Sequence, residues 1–290
     1  MNFPKSGRAA FLGASVVGLL WPATVARATN YWKFSVVTGT WSTGSNWSGV
    51  GAGGVDNAGA PTLGEAVNIV FADGTARTVT YDVSAPSLGL LSIDLTGPGT
   101  AAHTLSIPSN NSLAANGILV GGYDGFGATN GRGALNQSAG TVTTNLGWDL
   151  VVGHGVNSTG VYTLSGGALV ANQSEYIGLS GTGTFNHTGG TNTINAGAVG
   201  GFDIGVFAGS TGTYNLSGTG ALMVNKSEYI GDSGRGIFNQ TGGTHTISAG
   251  HDLYLGYNAS GRGTYNLSGG MLTAPAVFVG YAAGFIAPSS

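Results

Sequence analysis

Gly212-Thr-Tyr-Asn-Leu-Ser-Gly218 and Gly236-Ile-Phe-Asn-Gln-Thr-Gly-Gly243 are two copies of one phrase, and an apolar run closing on glycine, Glu228-Tyr-Ile-Gly231, lies between them. The opening glycine of the phrase recurs at 133, 160, 183, 212, 236 and 263. Self-similarity at such a period marks stacked supersecondary units rather than a globular core. Between Gly212 and Gly234 three strand-like segments follow one another: Thr213–Ser217, Ala221–Val224 and Glu228–Ile230. Alternate residues of a strand face opposite sides, so Tyr214 and Leu216 share one face and Thr213, Asn215 and Ser217 the other. A single unit cannot bury its apolar face, but stacking on its neighbours does. The expected fold is all-β: a right-handed parallel β-helix of about 25 residues per coil, with an N-terminal cap.

Successive spacings of the opening glycine are 27, 23, 29, 24 and 27 residues, so long and short units alternate and the true repeat is a coil pair. Aligning the units gives columns. Leu135, Tyr162, Phe185, Tyr214, Phe238 and Tyr265 form an apolar one, whose rings are expected to pack offset or edge to face. Asn136, Asn186, Asn215, Asn239 and Asn266 form an amide column, interrupted by Thr163, in which each side chain bonds its copies above and below. Gly121, Gly153, Gly178, Gly205, Gly231, Gly256 and Gly280 mark one corner, where a left-handed or crowded backbone excludes a Cβ.

Composition agrees. Of 290 residues 55 are Gly, none is Cys and 7% are charged. Identical positions of adjacent coils lie about 4.8 Å apart. Like charges at that spacing repel by about 3.5 kcal/mol at an effective dielectric of 20, so in-register stacking selects against charge. The absence of Cys excludes disulfides and thiolate metal sites. The mildly acidic balance offers no footprint for nucleic acid.

Three zones precede and contain the array. Residues 1–28 read as a secretory leader: Lys5 and Arg8, then the apolar run from Ala9 to Leu20, then Ala26-Arg27-Ala28 as a small-x-small cleavage pattern. Its removal leaves six basic and twelve acidic side chains, a formal charge of −6 and no membrane span. Residues 29–85 form a cap segment rich in aromatics, with Trp32, Trp41 and Trp47, which is expected to plug the end of the stack rather than serve as a ligand platform. Residues 86–290 form the β-helix, regular from 133.

The search for chemistry returns few groups. Glu175 and Glu228 occupy one position two coils apart, about 10 Å, with Asp203 one position along the strand in the intervening coil. Carboxylates this close are the minimum for polysaccharide-cleaving acid–base work, and these three are the candidate catalytic residues. Both Glu belong to the consensus Ser-Glu-Tyr-Ile-Gly, so a solvated corner is the simpler expectation. Tyr176, Tyr229, Tyr254 and Phe278 share a position beside the corner glycine, and as an outer strip they are candidate ligand-binding residues able to stack on sugar rings. His187 aligns with Gln137 and Gln240 in a generic polar slot, and no set of residues has metal-ligand spacing. Neither a metal nor a cofactor is expected. Thr-x-Thr recurs at 141, 191 and 244, but Ala168-Leu-Val170 and Ala221-Leu-Met223 interrupt it on alternate coils.

The phrases Gly-Thr-Tyr-Asn-Leu-Ser-Gly and Gly-Thr-Phe-Asn-His-Thr-Gly-Gly, with Glu-Tyr-Ile-Gly, resemble those of large bacterial exported β-helix proteins: autotransporter-type passenger domains and PEP-CTERM-sorted surface proteins. Thr40-Trp41 to Gly49 resembles the motif that often precedes such repeats. The resemblance covers about 40 to 290. The stretch after Gly284, Phe285-Ile-Ala-Pro-Ser-Ser290, matches neither the translocator barrel nor the Pro-Glu-Pro tail of those families. The resemblance implies export to the bacterial surface or medium and a non-enzymatic structural or adhesive role, with extracellular polysaccharide or surface components as partners. The alternative is a carbohydrate-active protein that binds or cleaves polysaccharide on one β-helix face.

Overall fold

The computed structural model describes residues 29–51, 59–84, 87–96, 99–122, 130–145, 149–195 and 201–281. The expected leader, 1–28, and the stretch after Tyr281 lie outside the described residues. The described chain is nearly all strand, wound into a β-solenoid of about seven turns whose equivalent positions lie about 27 residues apart. No helix among the described residues is long and apolar enough to cross a membrane.

Three parallel faces make the solenoid. The first stacks Arg132–Gln137, Thr159–Leu164, Thr182–His187 and Thr211–Leu216 and continues into the long strands Arg235–Ile247 and Arg262–Thr273. The second stacks Thr141–Thr144, Ala168–Ala171, Thr191–Ile194 and Ala221–Val224 onto the later halves of those long strands. The third stacks Leu150–Val152, Glu175–Ile177, Phe202–Ile204, Glu228–Ile230, Leu253–Leu255 and Val277–Val279.

Register follows the repeat. The six opening glycines pair in one unbroken column from Gly133 to Gly263. A Cβ at Gly183 would sit 2.2 Å from the Val152 carbonyl oxygen, so the strand there passes too close to its neighbour for any side chain. At the corner, Gly178 has φ +73° and a Cβ would meet the Thr211 carbonyl oxygen at 2.2 Å, so conformation and space both demand glycine.

The interior ring column is stacked, not edge to face. Tyr162, Phe185, Tyr214, Phe238 and Tyr265 lie with centroids 4.6–4.9 Å apart and planes within 13°. The coil spacing enforces this, because equivalent side chains are held near 4.8 Å and the rings keep a common tilt. On the outer side of the same strands, Asn215 donates to Asn186 at 2.9 Å, Asn239 to Asn215 at 2.8 Å and Asn266 to Asn239 at 2.8 Å. A second ladder runs along another edge, Asn195 donating to Asn172 at 2.8 Å and Asn225 to Asn195 at 3.3 Å.

Parallel pairing begins before the repeat becomes regular. Thr29–Tyr31 pairs with Ala66–Asn68, and Thr38–Thr40 with Thr78–Thr80. Trp32, Trp41 and Trp47 are fully buried at this end. They meet edge to face, Trp32 with Trp47 at 5.0 Å and Trp41 with Trp47 at 4.8 Å, and Tyr81 closes on Trp41 at 5.0 Å. Beside them Arg77 lies over the rings of Phe71 (3.9 Å) and Phe34 (4.9 Å) while its guanidinium donates to both carboxylate oxygens of Asp73. That bidentate bond is the main reason the Asp73 carboxyl is held down to about 2.

Candidate functional site

The interior of the solenoid is mostly apolar, and the two candidate glutamates are among the polar side chains buried in it. Glu175 and Glu228 open the third-face strands of their coils, with Phe202 in register between them. Both are 0% exposed, so the solvated corner expected for them is corrected: the sequence Ser-Glu-Tyr-Ile-Gly turns the glutamate inward and the tyrosine outward. Asp203 is 3% exposed but pairs in register with Tyr176 and Tyr229, which puts it on the opposite side of the strand. The three carboxylates therefore share neither a face nor a cleft.

Each buried glutamate has its own partner on the second face. Asn192 Nδ2 donates to Glu175 Oε1 at 3.2 Å and Oε2 at 3.0 Å, and reaches the Tyr214 hydroxyl at 3.3 Å. That hydroxyl lies 2.9 Å from His187 Nδ1. His187 Nε2 faces the Gly190 carbonyl at 3.2 Å and must donate to it, so Nδ1 accepts from the tyrosine and the imidazole is neutral. Burial, opposed by the Gly190 bond, lowers His187 to about 4, in agreement with this assignment. Two coils on, His245 Nε2 lies 2.8 Å from Glu228 Oε2 and His245 Nδ1 lies 2.9 Å from the Tyr265 hydroxyl. Gln240 Nε2 donates to the Met271 carbonyl at 3.0 Å, which leaves its oxygen to accept from Tyr265. Tyr265 then accepts from His245 Nδ1. The contact between His245 Nε2 and Glu228 Oε2 makes no hydrogen bond, and Glu228 Oε1 has no partner.

These sets explain why the repeat is a coil pair. The slot occupied by Gln137, His187 and Gln240 holds Leu164 and Leu216 on the intervening coils. The ring column carries Tyr162, Tyr214 and Tyr265 where the preceding coil offers a polar slot, and Phe185 and Phe238 where it offers leucine. A buried phenol needs a hydrogen-bond partner and a buried benzyl does not. The polar slot expected from sequence is thus inside the molecule and is filled for the benefit of the next tyrosine.

Burial pushes Glu175 up to about 8, with the charge of Glu228 adding to the effect and the Asn192 bond opposing it. Burial likewise raises the phenols of Tyr162 and Tyr214, with the Glu175 charge adding.

The outer strip is a second structure. Tyr176, Tyr229, Tyr254 and Phe278 point outward and are half-buried. Asp203 separates the first from the rest, and Tyr176 packs instead against Leu119, Val151, Leu179 and Val206. Tyr229, Tyr254 and Phe278 stack at 5.1 and 5.2 Å. Tyr257 and Tyr281, each following a corner glycine, form a parallel column stacked at 5.0 Å and set edge-on against Tyr254 at 5.2 and 5.1 Å. Sequence reasoning missed these two, although the column after the corner glycine was readable. Both faces of Tyr254 are taken by neighbouring rings, so this patch offers mainly edges and hydroxyls. On the second face, Thr141 and Thr191 alternate in register with Ala168 and Ala221 and do not make a continuous hydroxyl rank.

No family model, no curated protein and no solved structure matches the chain.

Proposed function

We infer that this chain is a non-enzymatic structural or adhesive β-solenoid, exported and held at a bacterial surface or in its matrix. One observation carries this reading. The candidate acids that share a column, Glu175 and Glu228, are sealed in the interior and committed to Asn192 and His245. General acid–base catalysis needs a group within hydrogen-bond reach of substrate, and a filled core admits none. The Gly-, Asn- and Thr-rich coils instead spend their polar groups on pairing with their own copies, which suits a rod that presents surface. The test is turnover: incubation with a panel of extracellular polysaccharides is expected to release no new ends. Cleavage that disappears in the Glu175→Gln, Glu228→Gln double variant would overturn the reading.

A second reading, polysaccharide binding without cleavage, is favoured by the aromatic patch of Tyr229, Tyr254, Tyr257, Phe278 and Tyr281, in which Tyr281 is 48% exposed. Retention on a glycan array that is lost in Tyr257→Ala would favour it.

A further inference from the structure

The same three interior positions recur in each coil pair with different chemistry. Ile118, Glu175 and Glu228 occupy one column, two coils apart, by way of Leu150 and Phe202. Val142, Asn192 and His245 occupy the facing column by way of Leu169 and Leu222. So a glutamate is met by an amide or an imidazole, and an isoleucine by a valine, within one backbone. A carboxyl in this dry interior is not needed to fold the coil, because Ile118 and Val142 do without it.

We propose that the Glu175–Asn192 pair is a proton-dependent latch: the central coils are locked while the pair holds a proton and loosen when that proton is lost at mildly alkaline pH. The geometry asks for the proton. Among the described residues Asn192 Nδ2 is the one donor hydrogen-bonded to Glu175, reaching both its oxygens, and Asn192 Oδ1 has no partner. A neutral carboxyl still accepts from Nδ2 and brings no charge into the core. An ionised carboxylate places a full charge in this low-dielectric interior. The groups that face Glu175 offer it no cation. They are Glu228 across Phe202, the phenols of Tyr162 and Tyr214, and, behind Tyr214, the neutral His187. Its register neighbours Leu150 and Phe202 are apolar. His245 Nε2 lies against Glu228 Oε2, at 2.8 Å.

The sign follows from burial. Glu175 is raised from 4.5 to about 8 in the folded chain, so the native state holds its proton more tightly than the unfolded chain does. That stabilisation is complete below about 4.5 and is lost as the pH rises through about 8. Between pH 6 and pH 9 the opening constant of these coils should rise about a hundredfold on account of Glu175 alone. The other buried histidines with resolved shifts, His103 and His187, lie near 4 and do not titrate in this window.

The experiment is thermal melting and limited proteolysis of the full chain at pH 6, 7.5 and 9, with cleavage sites mapped by mass spectrometry. The wild-type chain is expected to lose stability across that range and to be cut first in the coils around residues 175–195. Glu175→Gln keeps the shape of the neutral carboxyl but cannot ionise, and should abolish that loss. Should Gln fail to fold, Glu175→Ile with Asn192→Val copies the pair this chain already carries at Ile118 and Val142, and should be equally insensitive to pH. A wild-type chain that is flat from pH 6 to 9, or a variant that keeps the wild-type response, overturns the latch.

Discussion

The coil pair from Ile118 to Tyr162 and the pair from Glu175 to Tyr214 have the same three faces, the same corner glycines and strands in one register, yet one interior is mostly hydrocarbon and the other holds a carboxyl, an amide, an imidazole and a phenol. The first pair has Tyr162 donating to Gln137 at 2.7 Å, Gln137 donating to the Gly140 and Ala168 carbonyls, and the buried Thr144 hydroxyl. The difference teaches that the polar groups come as sets. Glutamate and its partner enter or leave the interior together, because one without the other strands a buried polar atom at a cost of a few kcal/mol.

That rule is broken most severely by Ile118→Glu. The new carboxyl faces Val142, which offers neither donor nor acceptor, and its register neighbours Leu91 and Leu150 are aliphatic. The expected loss is about 3–5 kcal/mol of stability, read as a large fall in the denaturant midpoint. Adding Val142→Asn rebuilds the pair seen at Glu175 and should recover most of it. If the double variant is no more stable than Ile118→Glu alone, the sets are not the unit that this comparison takes them to be.

An intermediate effect is expected from the ring column. Phe185→Tyr sends a hydroxyl toward Leu164 in the preceding coil, where Tyr162 finds Gln137 and Tyr214 finds His187. One buried hydroxyl without a partner should cost about 2 kcal/mol. Leu164→Gln, which recreates the slot, should return much of that. Melting of the single and double variants closes the cycle, and additivity of the two changes would count against the alternation of tyrosine and phenylalanine as a hydrogen-bonding device.

Most of the fold was readable because stacking forces equivalent residues into register. The columns of Gly133 to Gly263, of Tyr162 to Tyr265 and of Asn186 to Asn266 all stand where the repeat puts them. The site was less legible for a physical reason. A three-residue strand such as Glu175–Ile177 shows only one alternation, so the inward residue is not identified by pattern, and polarity argued for the wrong side. The partners Asn192 and His245 sit on another face of the coil, seventeen residues along in both cases, and were read within their own Thr-x-Thr segments. The same offset between two polar residues, from Glu175 to Asn192 and from Glu228 to His245, was the available signal.

The smallest effect lies on the surface, at the boundary between the two coil pairs. The amide ladder runs unbroken from Asn186 to Asn266, but Thr163 stands between Asn136 and Asn186. Thr163→Asn offers each neighbour the partner that Asn215 offers Asn186. The strand position is half-buried and β-competent, so the substitution trades the β-branch of threonine for up to two side-chain hydrogen bonds. At about 0.5–1.5 kcal/mol net for each bond in a favourable site, less for one part-exposed to water, a gain of about 0.5–1 kcal/mol is expected, seen as a rise of a few degrees at most in the melting midpoint. A gain confined to this position, absent when asparagine replaces a threonine that lacks amide neighbours in register such as Thr143, would assign the stabilisation to the ladder rather than to the residue type. Equal gains at both positions would show that the boundary between the apolar and the acidic coil pairs is no weaker than the rest of the rod.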